Sequence, residues 1–587
     1  SDVYKRQHFY RTKLLPLLCA LLLLGGTVSL NACTAIPSDT PPQSLGQFRR
    51  MPITFHPPKP QPGRSPDLLL RDFIRAAAVP TDQHAAARLF LTSKGNEEWK
   101  NHTTFKVVDR VDVNTIATPT TDSLVMQVRA RSMGEVDKQG SFRSHISTST
   151  FQVKMRRINR QWLIDCFPDE LLVDKEAFMS TYESQSVYYL DSTGSRVVPD
   201  PRWLYAQNNR LPTMLMQLLV QEPSPQLRTV VNSELSPSVH ISVVPGIQGN
   251  GVDVEISNYH STSETARQRL AAQIIFTFER ARIHGPFYIS VNGSPLDPNH
   301  RDGWTPADVI HYDPMFATHK NPVHLHAITS DGLMKVTSNL EPVKGPLGHS
   351  QGIHAAAFSR GGGMIGVVEE VRHKQHTALE VKMGPVGGPL VSVMRGSRFS
   401  RPTWEPTGQD MWIVSGDGQL NRITWQNGRP PLVTRVNTHD LSNKPDFSTL
   451  AISPDGVRMA YISGGKLFIA TVYNGRNGDV ALKNPRRIYV SGDEVVLSLA
   501  WRTATTLIVG GSLTDQPVLM MSVDGASITP LGVRNVTAPV SVVVANPSGV
   551  YVQDSRDVMR LEQGSEGFWQ DVPALVNSSH AIPVLEG

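Results

Sequence analysis

A repeated sequence unit in the C-terminal half places the strongest constraint on the fold of this chain. Five copies follow one another at intervals of 46, 48, 49 and 44 residues. Three of them continue from a short strand into a tight turn of proline, a polar residue and glycine, and an apolar strand follows. A period of this length, built from short strands and glycine turns, is typical of β-propeller blades, each of which is a four-stranded sheet. The equivalent positions of the five copies are Phe358, Trp404, Ile452, Trp501 and Ala545.

A shorter piece of the same pattern precedes the first full copy. Asp331 and Gly332 form a turn, and an apolar strand follows from Leu333 to Val336. Such a piece would complete the last blade and close the ring. Long helical patterns are absent from this half of the sequence, which argues against a helical solenoid. We therefore predict an all-β propeller with five or six blades over residues 320–587.

The N-terminal residues have the order of an export signal. Four basic residues come first, and an apolar stretch of 11 residues follows from Leu14 to Leu24. This stretch is too short for the about 20 helical residues that span a bilayer, but it suits the apolar part of a signal peptide. We predict a signal peptide over residues 1–32.

Cys33 ends the sequence Leu30-Asn31-Ala32-Cys33, which resembles the lipobox of bacterial lipoproteins. In such signals the cysteine receives a diacylglyceryl group and becomes the first residue of the mature protein. A signal peptide that is cleaved elsewhere, or a single anchoring helix, is the alternative. Residues 33–64 are rich in proline and predict an extended tether that holds the folded part away from the membrane.

Composition limits the classes of function. A length of 587 residues predicts about three to five domains. The net charge of +5 falls to +2 when residues 1–32 are removed, which is too slight to favour nucleic acid as a partner. Three cysteines exclude a disulfide framework and a four-cysteine zinc site. With Cys33 acylated, Cys166 has no partner, and its apolar strand predicts a buried, inert thiol.

Residues 65–195 predict an α+β domain. Ser65 and Pro66 are typical of a helix start, and helical spacing of apolar residues follows. Four segments with alternating apolar residues then predict antiparallel strands. A curved sheet over helices is similar to the NTF2-like fold. No paired carboxylates and no histidine–acid pair with a catalytic spacing are present. The four segments are Phe105–Val111, Leu124–Ala130, Phe151–Arg157 and Gln161–Phe167.

Residues 196–300 predict a second α+β domain. Its pattern is a short helix from Pro212 to Val220, two strands around a glycine-rich turn, a long amphipathic helix and a final strand from Phe287 to Val291. Ser261 and Glu264 have the spacing of a capping box at the start of the long helix. This order is similar to the GerMN, or spore-germination, module.

Two glycine motifs resemble catalytic signatures by their letters. Gly348-His349-Ser350-Gln351-Gly352 matches a nucleophile elbow, but that motif needs a strand before it and a helix after it. Two prolines precede it and a propeller repeat follows, so we expect a connecting loop. Gly361-x-Gly363-x-x-Gly366 matches the dinucleotide fingerprint, but it lies in a blade turn rather than in a βαβ unit.

Two sets of charged or metal-binding residue types remain. His324 and His326 would place two imidazoles on one face of a strand, as in some metal sites, but no third ligand has a diagnostic spacing. Four arginines on the long helix are expected to form a solvated face, with contact to an acidic partner as the alternative. These are Arg267, Arg269, Arg280 and Arg282. We therefore predict no catalytic residue, no cofactor and no metal, and the lipidated Cys33 is the one predicted site residue.

The segment from Tyr188 to Trp203, which ends in Asp200-Pro201-Arg202-Trp203, looks like the hinge of the actinobacterial LpqB lipoproteins. The segment Gln161 to Asp165 and the order of lipobox, NTF2-like part, GerMN-like part and propeller are also similar to that family. The resemblance implies a non-enzymatic, lipid-anchored protein on the outer side of the cell membrane. It also implies contact with the extracytoplasmic domain of a sensor kinase of the MtrA–MtrB system, with effects on envelope growth and division.

Two alternatives from other classes stay open at this point. One is a cell-envelope hydrolase, which uses Ser350 or a pair of propeller carboxylates. The other is a propeller that binds glycans, for which cell-wall polymer would be the ligand.

Overall fold

The structure is a computed structural model, which describes residues 55–586 apart from short gaps. The predicted signal peptide, Cys33 and the tether up to residue 54 therefore lie outside the described residues. In the part that is described, no helix has the length and apolar character needed to cross a membrane. The gaps are residues 101, 207–209, 247–250, 262, 317–322, 374–375, 442–444, 476–477, 491–494, 533, 563–566, 577 and 579.

The first region packs short helices against a five-stranded sheet. Its helices are α1 (Pro66–Ala76), α2 (Thr81–Arg88), α3 (Ser93–Glu98) and α4 (Lys175–Thr181). Its strands are β1 (Phe105–Thr120), β2 (Ser123–Val136), β3 (Phe142–Ile158), β4 (Gln161–Cys166) and β5 (Leu172–Asp174). The strand order is β4-β3-β2-β1-β5, and only the β1–β5 pair is parallel.

The elements that the sequence predicts in this region are confirmed, but three of the strands are longer than predicted. Helix α1 begins at Pro66 after Ser65 and buries Phe73 in the core. The far half of β1 is exposed from Asn114 to Thr120. A strand with no buried face has no alternating apolar pattern, so its extension cannot be read from hydrophobicity.

A hairpin of strands β6 (Tyr182–Asp191) and β7 (Val197–Tyr205) follows, and β8 (Val231–Asn232) joins it in the order β7-β6-β8. The predicted domain boundary at residue 195 falls in the turn of this hairpin. The hairpin contributes to two cores, because Tyr182 and Trp203 pack with the first region while Val187 and Tyr189 pack with the second.

The second region contains helix α5 (Leu211–Val220), strands β9 (His240–Pro245), β10 (Val252–Ser257), β11 (Phe287–Val291) and β12 (Ser294–Pro295), and the long helix α6 (Glu264–Arg280). The sheet order is β12-β11-β10-β9. Strands β10 and β11 are parallel, and α6 connects them. The helix buries Leu270, Ile274 and Phe278 in the core of this region.

The predicted capping box at Ser261 is wrong. Helix α6 begins at Glu264, and Ser263 is its N-cap, whose side chain accepts a hydrogen bond from the Ala266 N–H at 3.1 Å. Two serines two residues apart offer alternative caps, and the later one leaves Glu264 in the first turn. A negative charge there is stabilised by the helix dipole.

The C-terminal region consists of six four-stranded antiparallel sheets among the described residues. The first contains β13 (Leu325–Thr329), β14 (Gly332–Val336), β15 (Leu340–Pro342) and the last strand of the chain, β36 (Ile582–Leu585). The second contains β16 (Ile353–Phe358), β17 (Met364–His373), β18 (His376–Pro385) and β19 (Val391–Gly396). The third contains β20 (Thr403–Trp404), β21 (Asp410–Val414), β22 (Leu420–Thr424) and β23 (Leu432–Arg435).

The remaining three sheets follow in chain order. The fourth contains β24 (Phe447–Ile452), β25 (Arg458–Ser463), β26 (Lys466–Asn474) and β27 (Val480–Ile488). The fifth contains β28 (Val496–Thr503), β29 (Thr506–Gly511), β30 (Val518–Ser522) and β31 (Ile528–Pro530). The sixth contains β32 (Val542–Asn546), β33 (Gly549–Gln553), β34 (Val558–Leu561) and β35 (Trp569–Asp571).

The five sequence copies correspond to the first strands of the second to sixth sheets, as the repeat predicts. The C-terminal strand β36 pairs with β13, with Leu325 opposite Leu585. The short piece from Asp331 to Val336 therefore shares a sheet with the end of the chain, which links the first and last strands of this region.

Candidate functional site

The β6–β7 hairpin is the place where the three folded regions meet. The residues of a nine-residue strand would normally alternate between buried and exposed, but in β7 every residue except Pro201 and Tyr205 is buried. A strand that is covered on both faces loses the alternating pattern. The hairpin is therefore an internal element of the molecule, and its polar residues need partners inside the protein.

Asp200 and Arg202 form a buried ion pair on this strand. Arg202 Nη2 donates to Asp200 Oδ2 at 2.6 Å, and their side chains are 1% and 3% exposed. The same carboxylate oxygen accepts the Ser224 N–H at 2.7 Å, which ties the strand to the second region. Removing one member of such a pair leaves an uncompensated buried charge, so the pair holds the two segments in one arrangement.

Trp203 connects the hairpin to both other regions. Its indole Nε1 donates to Asp524 Oδ2 in the fifth propeller sheet at 2.7 Å. Its ring packs against Phe178 of the first region, with 4.9 Å between the ring centroids. Its backbone N–H donates to the Gly140 carbonyl at 2.7 Å. Trp203 thus contacts a residue that lies 321 positions away in the sequence.

Arg458 makes the reciprocal contact from the propeller. Its Nη2 donates to the Pro199 carbonyl at 2.6 Å, and its Nη1 donates to Asp455 Oδ2 at 2.6 Å. Both charged side chains are almost fully buried. Asp455 belongs to a Pro-Asp-Gly blade turn, and this local sequence indicates only a turn residue. No local sequence pattern indicates its partnership with Arg458 or the role of Asp524.

The arginines of helix α6 contribute to the same junction. Arg269 donates from Nε to the Gly194 carbonyl at 2.9 Å and from Nη2 to the Thr193 carbonyl at 3.1 Å. Gly194 has a φ of +70°, which favours glycine, and a Cβ there would lie 2.4 Å from the Arg269 guanidinium carbon and displace that side chain. Arg280 pairs with Asp313 at 3.2 Å. The expectation of a solvated arginine face is therefore wrong for Arg269, whereas Arg280 stays exposed.

Buried polar residues of α6 also satisfy the backbone of the hairpin. Thr277 Oγ1 accepts the Tyr188 N–H at 3.1 Å, and Gln273 Nε2 donates to the Tyr188 carbonyl at 3.0 Å. Both side chains are fully buried. These contacts replace the hydrogen bonds that a neighbouring strand would supply at this position.

Ser350 does not occupy a nucleophile elbow. A short 3₁₀ turn, Pro346–His349, precedes it and strand β16 follows, whereas the elbow needs a strand before and a helix after. Its hydroxyl hydrogen-bonds to the carboxylate of Glu369, which also accepts Lys382 Nζ at 2.6 Å. The carboxylate is thus held by a lysine in a structural cluster, which confirms the loop interpretation.

The other sequence motifs also have structural roles. Gly361 and Gly362 lie in the turn between β16 and β17 with φ values of +82° and +71°. His326 is buried on β13, while His324 is half-buried and precedes the strand, so the predicted pair of histidines on one strand is wrong. No group of three or more histidine, cysteine, aspartate or glutamate side chains in the described residues is placed to hold a metal. Cys166 is half-buried at the end of β4, so the prediction of full burial is wrong.

The fold and this junction define a multidomain protein with a C-terminal β-propeller region. Family models match three consecutive segments: "Lipoprotein LpqB, N-terminal domain" at residues 59–179, "Sporulation and spore germination" at residues 186–297, and "Lipoprotein LpqB beta-propeller domain" at residues 331–585.

Curated relatives match over nearly the whole length. Lipoprotein LpqB of Rhodococcus jostii is 31% identical over 97% of this chain and 98% of its own length. Lipoprotein LpqB of Mycobacterium tuberculosis is 31% identical over 97% of this chain and 99% of its own length. The chain belongs to the lipoprotein LpqB family.

A solved β-propeller domain from Myceliophteria thermophila is 8% identical, covers 37% of this chain and 68% of that chain, and has a TM-score of 0.27. A match of this weakness adds nothing to the argument about function.

Proposed function

We propose that this chain is a membrane-anchored extracytoplasmic lipoprotein that modulates a two-component sensor kinase of the MtrA–MtrB type by protein–protein contact, and thereby affects envelope growth and division. In this proposal Cys33 carries the lipid and residues 33–64 form the tether. The extracytoplasmic domain of the kinase is the partner. No catalytic residue, cofactor or metal has a part in it.

The proposal includes finer assignments of the domains. Residues 65–195 are an NTF2-like domain, residues 196–300 a GerMN-like domain, and residues 320–587 a propeller in which each of the six sheets is one blade. The five-stranded sheet packed on helices α1 to α4 supports the first assignment. The pairing of β36 with β13 supports a closed ring.

The observation that carries the proposal is the buried polar junction around the β6–β7 hairpin. Asp200, Trp203 and Arg458 join the three regions through buried, charge-assisted hydrogen bonds. A body joined in this way presents its surfaces in a fixed relation, as a protein that acts by contact requires. An enzyme instead needs a set of reactive groups that converge on one point. Among the described residues, Ser350 contacts Glu369, which is paired with Lys382, and this is not such a set.

Two exposed apolar residues on open strands mark surfaces for such contact. Val244 is 49% exposed on β9, which lies at the edge of its sheet. Leu432 is 52% exposed on β23, the outermost strand of the third propeller sheet. An edge strand offers unpaired backbone groups to a partner, and exposed apolar side chains supply contact area.

Crosslinking in living cells tests the proposal. A photoreactive amino acid is placed at Val244 in one variant and at Leu432 in another, and the captured proteins are identified by mass spectrometry. We expect the sensor kinase from at least one of the two positions. A third variant carries the same group at Ile116, which is 48% exposed on the first region and serves as the matched control.

Equal capture at all three positions, or no kinase from Val244 and Leu432, would contradict the proposal. Retention of the purified chain on cell-wall polymer, with kinase autophosphorylation unchanged, would favour a glycan-binding function instead.

A further inference from the structure

The innermost strands of the propeller sheets surround a cavity of about 270 Å³. Strands β16, β20, β24, β28 and β32 and the end of the chain after β36 contribute to its lining. These strands are the first of their sheets, or the last in the case of β36, and they lie at one end of each strand order. The cavity therefore lies along the central channel of the propeller.

The charged side chains in the lining are mostly arginines. Arg360, Arg401 and Arg502 line the cavity, and Glu586 is the single acidic residue among its lining residues. All three arginines are half-buried. Each lies close to the aromatic position of a repeat copy: Arg360 follows Phe358, Arg401 precedes Trp404, and Arg502 follows Trp501. A narrow cavity whose walls carry three guanidinium groups and one carboxylate has an excess of positive charge.

The partners of these arginines are uncharged. Arg360 Nη1 donates to the Pro314 carbonyl at 2.6 Å, and Arg502 Nη1 contacts only the Met520 sulfur at 3.8 Å. Among the described residues, the Arg401 guanidinium makes neither a hydrogen bond nor an ion pair, and none of the three guanidinium groups lies within 4.0 Å of a carboxylate oxygen. Each therefore keeps N–H donors for another molecule, because a guanidinium has five.

The two aspartates whose charge acts on Arg360 are already paired. Asp313 binds Arg280 at 3.2 Å, and Asp455 binds Arg458 at 2.6 Å. Burial lowers the pKa of Arg360 to about 10, and burial also lowers the pKa of Arg401 to about 10. Both groups remain charged at neutral pH. A desolvated charge with no counter-charge is unfavourable, and a bound anion would relieve that cost.

Arg401 also occupies a special position along the channel. A second cavity of about 410 Å³ has Arg401 and Val542 in its lining, as the first cavity does. Arg401 therefore lies where the two cavities adjoin, whereas Arg360 and Arg502 line the first cavity only.

We propose that the propeller channel binds a small anion through its phosphate or carboxylate oxygens, with Arg401 and Arg502 as the main donors and Arg360 as a third. The planar guanidinium matches both oxyanions in a bidentate arrangement. The volume of the first cavity is near the lower end of the about 300–1,000 Å³ range of small-molecule sites, so the ligand is a small metabolite or the acidic end of a larger one. This site is independent of kinase contact at Val244 or Leu432.

The test uses the full-length chain in detergent with two probes, glycerol 3-phosphate and citrate. Binding is followed by isothermal titration calorimetry and by the thermal unfolding midpoint, with glycerol and sodium chloride at equal ionic strength as controls. We expect saturable binding of at least one probe with a dissociation constant of about 1 mM or lower. Preference for one probe identifies the phosphate or the carboxylate as the recognised group.

Variants assign the binding to the channel. Arg401→Gln and Arg502→Gln should each lower the affinity for the probe by about tenfold or more, since each removes a charged, bidentate donor. Arg401→Lys keeps the charge but loses the fork, and its affinity should lie between wild type and Arg401→Gln. Arg560→Gln is the matched control, because Arg560 is exposed on the outer strand β34 and should bind as wild type does.

Circular dichroism establishes that each variant is folded, and Arg401→Lys and Arg502→Gln carry the test if Arg401→Gln does not fold. The proposal is overturned if neither probe has a saturable effect beyond that of sodium chloride. It is also overturned if the folded arginine variants bind the probe as tightly as Arg560→Gln.

Discussion

The hairpin junction and the propeller channel both contain arginines, which are buried in the first and half-buried in the second, but a carboxylate compensates their charge only at the junction. At the junction Arg202 and Arg458 each face a carboxylate at 2.6 Å, so their charge is compensated inside the protein. In the channel Arg401 and Arg502 have no carboxylate within 4.0 Å among the described residues. A compensated arginine is expected to hold structure together. An uncompensated one is maintained at a cost in stability, which is typical of binding sites.

The largest expected effect is at the junction. Arg202→Met leaves the Asp200 carboxylate buried without its counter-charge, and we expect a loss of about 3–5 kcal/mol in the free energy of unfolding. Urea unfolding of the full-length chain, followed by tryptophan fluorescence, measures it. Arg129→Met is the control, because Arg129 is exposed on β2. A loss no greater than that of the control would remove the basis for a structural role of the ion pair.

The next effect concerns a buried histidine in the first propeller sheet. Burial lowers the pKa of His326 to about 4, below its usual value of 6.5, and this outweighs the His324 backbone, which raises the pKa. Glu586 lies 3.8 Å from His326 Nε2, beyond hydrogen-bond distance. The unfolded chain binds a proton at a higher pH than the folded chain does. The contribution of His326 to stability is therefore full above about pH 7 and is lost as the pH falls toward 4.

We expect this loss to amount to about 3 kcal/mol between pH 7 and pH 4. In His326→Gln the unfolding free energy should fall less steeply over this interval than in wild type. His349→Gln is the comparison, since His349 is exposed in the turn before β16. If His326→Gln and wild type have the same dependence on pH, burial of the neutral imidazole does not contribute as described.

A smaller effect is expected at the contact between Trp203 and Asp524. Trp203→Phe keeps an aromatic ring beside Phe178 but removes the indole N–H, so Asp524 loses a buried donor. We expect a loss of about 1–3 kcal/mol in the free energy of unfolding. Trp162→Phe is the matched control, because Trp162 is partly exposed. A double-mutant cycle with Asp524→Ala isolates the pair, and a coupling energy near zero would contradict the contact.

The sequence predicted the propeller region well because each of its sheets carries its own local pattern of strand, turn and strand. It predicted the secondary elements of the first two regions for the same reason. The junction was different. The sequence indicates only a strand residue at Trp203 and a turn residue at Asp524, and no local pattern connects two positions that are 321 residues apart. The segment Asp200-Pro201-Arg202-Trp203 stood out by resemblance to a family, but its role depends on tertiary contacts.

The channel arginines could likewise be predicted only in part from the sequence. Arg360, Arg401 and Arg502 each lie within three residues of an aromatic position of the repeat, so their convergence follows from the blade geometry once the repeat is aligned. Their lack of partners does not follow from the sequence, because it depends on which carboxylates the neighbouring arginines have already bound. The exposed half of β1 and the cap at Ser263 were missed because neither has a distinctive apolar pattern.

The smallest expected effect separates the two kinds of arginine most directly. Arg458→Gln removes a guanidinium that binds both Asp455 and the Pro199 carbonyl, so it should destabilise the chain by several kcal/mol, as for Arg202. Arg502→Gln removes a guanidinium whose one contact in the described residues is a methionine sulfur, and the unfolding free energy should change by about 0.5 kcal/mol or less, or rise. Urea unfolding of the two variants in the absence of added phosphate and citrate makes the comparison. A large loss of stability in Arg502→Gln would mean that the channel arginines are structural, as those of the junction are, because a residue kept for binding an external anion contributes little to the fold when that anion is absent.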